Sequence, residues 1–475
     1  MNKELTLTIY PAKSCISDMS FWLSGDTLPT MKEVLKELSW EKSVYNPMLK
    51  YKVVHTIHLY TVVEDTLYFP TGLLEKVKQI LIAHNQPYLV IDETCVKDLI
   101  STPVDLQGVE LRDYQLGAVS AGLEGKRGIF QMPPGSGKTE VMIALTASID
   151  LPTIWLTHSL DLMHQTHKRF QDRLPYHKIG KVGGGEWKEE EITICMVQTL
   201  SSKSKKEKVQ ALLDKTQVLM IDEAHHAPSS TWYGIAMACN APYRFGCSAT
   251  PLSRDDGSNK MLVGVTGELL YTYGLKDDVN GEVFSKPSIV FVQYEDSVVL
   301  PTWLKDWHTV YSTGIINNTD RNNAILSVCK TCLEEERKTL VFVNQVGHGS
   351  ILNDLLKKHL GADNSHDFIW GKDDKVRREE VTKKLQSGEI SILITSPIFD
   401  EGVDIPEVDA LVLAGGGKST IKNIQRVGRG MRKAGKDLRV YDFDDVNHYI
   451  LINHTKKRLK DYTTLSGSPA RYIFL

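Results

Sequence analysis

Gly135-Ser136-Gly137-Lys138-Thr139 follows an apolar stretch, Gly128–Gln131, that reads as a strand, and it opens a helical run, Glu140–Ser148. Glycines let backbone N–H groups close on phosphate oxygens, and the amino end of a helix favours an anion. In that setting Lys138 reaches the β and γ phosphates of a nucleotide, and the Thr139 hydroxyl ligates Mg²⁺. ATP and Mg²⁺ are therefore the expected cofactors. The eight-residue phosphate-loop template asks for Gly at its first position, where this chain has Met132. A chance glycine turn is the competing reading, and the strand–helix context argues against it.

Such a site needs a second half, a strand ending in an acid. Val218-Leu219-Met220-Ile221 is an apolar run closed by Asp222-Glu223-Ala224-His225-His226. At the strand's carboxyl end Asp222 can hold Mg²⁺ through its water shell, and Glu223 can polarise the attacking water. Alone, an Asp-Glu pair after a strand is usually a solvated loop; paired with Lys138 it reads as catalytic. Gln425-Arg426-Val427-Gly428-Arg429-Gly430-Met431-Arg432 is a third element. In a helix Gln425, Arg429 and Arg432 share a face, and guanidinium groups donate bidentately to phosphate oxygens. A solvated basic face is the alternative, since residues 418–439 hold eight basic residues against Asp437. Gly428 and Gly430 weigh against it, because a merely solvated helix has no need of glycines that cost it about 1 kcal/mol each.

Other groups point less far. Cys329 and Cys332 make a single pair without a second pair to complete a zinc site, so two thiols on one helix is the reading. His158, His164 and His167 read as exposed histidines. Lys203, Lys205, Lys206 and Lys208 read as a mobile solvated loop, with DNA contact as the alternative. The Lys456-Lys457-Arg458…Lys460 run beside Tyr462 could bind phosphates, and a solvated run is again the alternative. Tyr60, Tyr68 and Phe69 read as core.

The elements that must position these residues fall into three stretches. Residues 1–105 pattern as a small α+β domain: 55–63 alternate at period two, Glu64-Asp65 can turn the chain, and Thr66–Phe69 return. Leu73, Leu74, Val77, Ile80 and Leu81 mark one helix face before a short strand, Tyr88–Ile91. From about 106 strands alternate with helices, as in a parallel sheet wound on both faces. The strands are Gly128–Gln131, Thr153–Leu156, Ile192–Val197, Val218–Ile221 and Tyr243–Cys247. A second alternating block begins near 288 with Ser288–Val292, Thr339–Val343, Ile390–Ile394, Ala410–Leu413 and Leu438–Tyr441, and helices at 321–336 and 375–386.

A chain of 475 residues, 41% hydrophobic and 24% charged, suits about three globular domains and excludes disordered, collagenous and coiled-coil classes. A net charge of -3 means that a polyanion must be met by local patches. The 7 cysteines are odd in number and scattered, which fits a reducing cytoplasm. The amino terminus has no signal-peptide core, and no apolar run nears the roughly 18–20 residues of a membrane span.

With its motifs taken in order, the chain resembles the superfamily-two helicases and translocases over residues 110–445. They are Leu111-Arg112-Asp113-Tyr114-Gln115, the phosphate loop, Val197-Gln198-Thr199-Leu200 and Asp222–His226. Ser248-Ala249-Thr250-Pro251, then Thr395-Ser396-Pro397…Glu401-Gly402-Val403-Asp404, and Gln425–Arg432 complete the set. Residues 248–257 and 263–271 look like the type III restriction-like branch, which includes phage recombination and branch-migration helicases. The amino-terminal domain looks similar to theirs as well.

The resemblance implies two tandem RecA-like lobes, 106–285 and 286–475, behind a 1–105 domain that recognises substrate. It implies that Arg112 and Gln115 meet the adenine, and that Pro134, Gly135, Ser136, Gly137, Lys138, Thr139, Gly402 and Asp404 surround the nucleotide. Arg429 and Arg432 would be fingers from the second lobe, and Ser248 and Thr250 would link nucleotide to nucleic acid. His158, Gln198, Thr199, Asn344 and Thr395 would touch the tracking-strand backbone, with capping or turn roles as the competing reading.

The expected activity is ATP-driven DNA unwinding or translocation on forks, junctions or displacement loops. The expected setting is a monomer in the cytoplasm, a phage host's if phage-encoded, with recombination or replication proteins as partners. An RNA helicase is one alternative, though the DEAH RNA helicases carry large further carboxyl-terminal domains. An ATP-gated nucleic-acid clamp or sensor is the other. Residues 1–105 show no nuclease constellation, since Ile91-Asp92-Glu93-Thr94-Cys95 lacks the lysine such a site needs.

Overall fold

The computed structural model describes residues 4–24, 27–46, 48, 51–94, 106–254, 256–274, 277–278, 287–360, 365–396, 408–417, 438–466 and 469–475. Its contacts divide the chain into two compact units. The first joins Met1–Met132 to Gly137–Thr272, and the second joins Tyr273–Leu475 to Pro133–Ser136. No helix among the described residues is long and apolar enough to cross a membrane.

In the first unit an eight-stranded sheet runs, in spatial order, Glu186–Lys188, Ile179–Gly183, Ile192–Met196, Thr153–Thr157, Val218–Asp222, Tyr243–Ser248, Arg127–Gln131 and Leu269–Thr272. Every pairing is parallel except that of Glu186–Lys188 with Ile179–Gly183. Strands covered on both faces read as unbroken apolar runs, as Val218-Leu219-Met220-Ile221 does, all four fully buried. Five expected strands are present with ends moved by a residue. Strand 179–183 and the edge strands 186–188 and 269–272 carried too weak an alternation to be foreseen.

The amino-terminal residues build their own five-stranded sheet, in the order Thr61–Val63, Thr66–Pro70, Lys13–Ile16, Leu5–Ile9 and Tyr88–Asp92, with helices Leu28–Glu37 and Leu74–Ala83. The expected 55–63 strand is in fact two. Tyr51–His58 pairs with Ser39–Asn46 in a separate two-stranded ribbon, and Thr61–Val63 joins the five-stranded sheet. The break falls at Leu59, which is buried and whose N–H bonds the Leu38 carbonyl at 2.8 Å, turning the chain inward. This domain is fused to the large sheet's flank. Its core extends onto Tyr233, Met261 and Val263, and Arg127 donates to the Pro11 carbonyl at 3.2 Å.

The second unit is a seven-stranded, wholly parallel sheet. Its order is His366–Ile369, Ile392–Thr395, Thr339–Phe342, Ala410–Val412, Leu438–Phe443, Pro287–Gln293 and Arg471–Phe474. Helices Thr319–Glu334 and Lys375–Ser387 stand where periodicity puts them, and Cys329 and Cys332 are buried on the first. The Lys203–Lys208 run is not a loop: it forms a helical turn, Lys203–Lys205, that leads into helix Lys206–Lys215.

Candidate functional site

The phosphate loop sits between strand Arg127–Gln131 and helix Lys138–Ile149. Gly135 (φ +83°) and Gly137 (φ +77°) hold left-handed backbone that glycine adopts without strain. A Cβ at Gly137 would stand 2.3 Å from Gln115 Nε2, so the Gln115 amide lies directly against the loop. Gln115 is buried, and its Oε1 accepts from the Arg112 N–H at 2.9 Å. The structure thus brings Gln115 to the loop, with Arg112 fixed to it through the backbone.

Strand Val218–Asp222 places its acids at the same edge, with Asp222 in register with Cys247 of the neighbouring strand. Burial, and then the adjoining Glu223 carboxylate, hold the Asp222 carboxyl above the ordinary carboxylate range, against the pull of Lys138 and a bond from the Glu223 N–H. A nearby cation is what relieves that strain. Glu223 itself has φ +48°, uncommon for a residue with a side chain. His225, 3% exposed, lies behind it: Nδ1 is 3.3 Å from Glu223 Oε2 and 3.1 Å from Ser248 Oγ. Ser248 Oγ also accepts from the Thr250 N–H at 3.2 Å. Glu223, His225, Ser248 and Thr250 are one connected cluster.

The residues expected on nucleic acid are less uniform. His158 packs its ring 4.9 Å from that of His226. Gln198 Nε2 donates to the His158 carbonyl at 2.8 Å, which joins two of them to each other, and Thr199 is half-buried on helix Val197–Leu200. His164 is exposed, whereas His167 bonds the Ile179 carbonyl, so only one of the three histidines is fully open. In the second unit Asn344 gives its amide to the Gly415 and Gly416 carbonyls at 2.8 and 3.1 Å. Thr395 is buried and bonds the Ser396 carbonyl. For Gln198, Asn344 and Thr395 the turn-forming role is the one the geometry displays.

A buried network behind strand Leu438–Phe443 was not foreseen. Arg458 pairs with Asp442 at 2.9 Å and Asp445 at 3.1 Å, and Arg321 pairs with Asp445 at 2.7 Å. Arg458 and Arg321 also reach the Gly417 and Ala414 carbonyls, at 2.9 and 2.7 Å, and Tyr311 reaches Gly415. Together with Asn344 they fix the backbone of 414–417 on entry to 418–437. Arg458 therefore does not serve the phosphate-binding run proposed for 456–460; it and Tyr462, which donates to Asp442 at 2.7 Å, are core. The acid-rich strand end, Asp442 to Asp445, was the available signal. Gly402, Asp404, Gln425, Arg429 and Arg432 lie outside the described residues.

Residues 108–253 match the family described as type III restriction enzyme, res subunit, and residues 320–434 match the helicase conserved C-terminal domain. The chain is 28% identical over 377 residues to the DNA 3'-5' translocase XPB2 of Sulfurisphaera tokodaii, covering 73% of this chain and 84% of that one. It is 26% identical over 354 residues to the ATP-dependent DNA helicase uvsW of Enterobacteria phage T4, covering 69% and 66%. In fold it is similar to a fragment of a putative HsdR subunit of a type I restriction enzyme from Vibrio vulnificus YJ016. That match has a TM-score of 0.59 at 20% identity and covers 92% of this chain and 78% of that one.

Proposed function

We propose that the chain, a superfamily-two helicase of the type III restriction-like branch, is an ATP-driven DNA translocase that remodels forks, junctions or displacement loops. The observation that carries the motor reading is the convergence of Lys138, Asp222 and Glu223 at one sheet edge, tied through His225 to Ser248. The branched substrate is supported by the separate amino-terminal sheet and by its ribbon, whose strand Tyr51–His58 is mostly exposed.

In this reading residues 1–105 select the substrate and 106–285 and 286–475 are the two lobes. Arg112 and Gln115 meet the base, and Pro134 to Thr139 wrap the phosphates. Lys138 offsets charge on the β and γ phosphates, as a compact cation on a long stem can. Thr139 and Asp222 would hold Mg²⁺, which when bound supplies charge neutralisation between the phosphates. Glu223 accepts the proton of the attacking water. Gln425, Arg429 and Arg432 meet charge developing on the γ phosphate, and Gly402 and Asp404 belong to the nucleotide's surroundings. The protein works as a cytoplasmic monomer alongside recombination or replication proteins.

The test is steady-state ATPase without nucleic acid and with single-stranded DNA, duplex, a four-way junction and RNA, followed by strand release on the best stimulator. Junction or duplex DNA should stimulate most and be remodelled. Equal stimulation by RNA, or stimulation without strand release, would turn the reading towards an RNA helicase or an ATP-gated clamp.

A further inference from the structure

Beyond Ser248, residues 252–254 meet the DEAHH turn and residues 256–260 meet the amino-terminal domain. Arg254 donates from Nη2 to the His225 carbonyl at 3.0 Å. Asn259 ties the two parts together, its Oδ1 accepting from the Arg254 N–H at 3.2 Å. The Asn259 Nδ2 donates to the Leu252 and Arg254 carbonyls at 2.9 Å each. Ser258 adds an N–H bond to Asp256 at 3.1 Å.

For residues 256–260 the partner is the root of the ribbon. Lys42 pairs with Asp256 at 3.0 Å. Gly257 has φ +78°, and a Cβ there would come within 2.5 Å of Trp40 Cδ1, so the indole is seated on bare backbone. Lys260 donates to the Glu37 carbonyl at 2.6 Å and the Ser39 carbonyl at 3.2 Å, where helix Leu28–Glu37 passes into the ribbon. Burial would raise the Asp256 carboxyl, but bonds from Ser258 and Lys42 outweigh it and hold the group down at about 2.

Among the described residues the rest of the ribbon is largely exposed. Strand Tyr51–His58 has six exposed residues and no buried one, and Val44, Tyr51 and Val54 stand 44%, 58% and 56% exposed. A two-stranded ribbon is marginal by itself, and its size and net positive charge suit a nucleic-acid groove. Residues 39–58 hold Lys42, Lys50 and Lys52 against Glu41.

We propose that the ribbon's root is a lever on the catalytic turn: duplex DNA engaged by the ribbon acts through Lys42–Asp256 and Trp40–Gly257 on the 252–260 segment, and through Arg254 on the backbone that carries Glu223. Lys42, Asp256 and Arg254 are then positioning residues for hydrolysis. Glu223 holds an unfavourable φ and its Oε2 stands 3.3 Å from His225 Nδ1, which also bonds Ser248, so a shift of the His225 carbonyl would be felt at the Glu223 carboxylate. The inference rests on the reading above, in which DNA stimulates hydrolysis, and gives that stimulation a route.

The experiment is a charge swap in the full chain: Lys42→Asp, Asp256→Lys and the double variant. ATPase kcat and KM are measured with and without a four-way junction, and junction affinity by anisotropy. Each single change should lower junction-stimulated kcat by roughly fivefold or more while the DNA-free rate and the KM for ATP stay within about twofold, and the double should recover most of the loss. The unchanged DNA-free rate separates positioning from misfolding, and Asp256→Lys separates it from lost phosphate contact, because adding a cation should not weaken DNA binding. Single variants that match the parent, or a double that recovers nothing, would overturn the inference. A parent chain that DNA does not stimulate would overturn the earlier reading and this one together.

Discussion

His225 Nδ1 stands 3.1 Å from Ser248 Oγ and 3.3 Å from Glu223 Oε2, so one ring nitrogen lies between the proposed base and the residue that begins Ser-Ala-Thr-Pro. The two strands that carry them are adjacent and in register. His225 Nδ1 bonds Ser248 Oγ and lies beside Glu223 Oε2, so a change at one contact alters the other. Ser248→Ala removes the first contact. Hydrolysis without DNA should persist, while the dependence of the rate on DNA weakens by up to about tenfold, the scale of one neutral hydrogen bond. Parallel loss of basal and stimulated rates would mean that the serine is simply structural.

Gly72 marks how closely the amino-terminal domain is joined to the ATP-binding sheet. A Cβ there would fall 1.9 Å from the Val263 carbonyl oxygen and 2.6 Å from that of Gly264, both backbone atoms that cannot rotate away. Gly72→Ala should destabilise by about 1–3 kcal/mol, the usual range for overpacking. The change should appear as a lower thermal midpoint and faster hydrogen exchange in helix Asn259–Thr266. A variant as stable as the parent would show that the two sheets can separate at little cost.

His348 gives a pH dependence of known sign. It is fully buried, its ring donates from Nε2 to Asn322 Oδ1 at 2.9 Å, and burial followed by the Arg321 charge push its pKa down to about 3, against the opposing pull of Asp445. The unfolded chain takes up this proton below about 6.5 and the folded chain does not. Its stabilising share is therefore complete above about 6.5 and is lost as pH falls towards 3, at up to about 1.4 kcal/mol per pH unit. Urea midpoints at pH 5, 6 and 7 should rise with pH, and His348→Gln, which keeps a donor for Asn322, should flatten the rise. An identical slope in the variant would refute the assignment.

Legibility in the sequence followed physical cause. Strands buried on both faces, such as Val218–Asp222 and Thr339–Phe342, announce themselves as apolar runs, and phosphate chemistry needs Gly135, Gly137 and Lys138 at fixed spacing. The Tyr51–His58 ribbon was misread because exposure leaves a strand's alternation without meaning: Ile57 and Leu59 look alike, yet Leu59 alone is buried. Arg458 was misread for the opposite reason. Charge in a run of lysines suggests solvent, and its partners Asp442 and Asp445 are 16 and 13 residues away, outside its own helix. Gln198 and Asn344 show the limit of motif reading, since an amide that can grip a phosphate can equally close a loop.

Lys138 and Glu223 should fail in different ways, and the difference tests the candidate site most directly. Lys138 opens its helix beside the loop glycines, where on the proposed reading its cation would offset phosphate charge already present when ATP binds. Lys138→Ala should therefore lose nucleotide affinity and turnover together, with DNA binding retained. Glu223 has its φ of +48° and its Oε2 beside His225, and on the proposed reading its carboxylate would be needed only as the attacking water loses a proton. Glu223→Gln keeps size and hydrogen bonding while removing the base, so ATP should bind near normally and kcat should fall by the roughly 10²–10⁴-fold that a general base contributes. Fluorescent-nucleotide titration separates the two, because only the glutamine variant should accumulate unhydrolysed ATP. Equal loss of affinity in both would place Glu223 among the binding groups and leave the water without its base; near-normal turnover in Lys138→Ala would remove the phosphate loop from the reaction altogether.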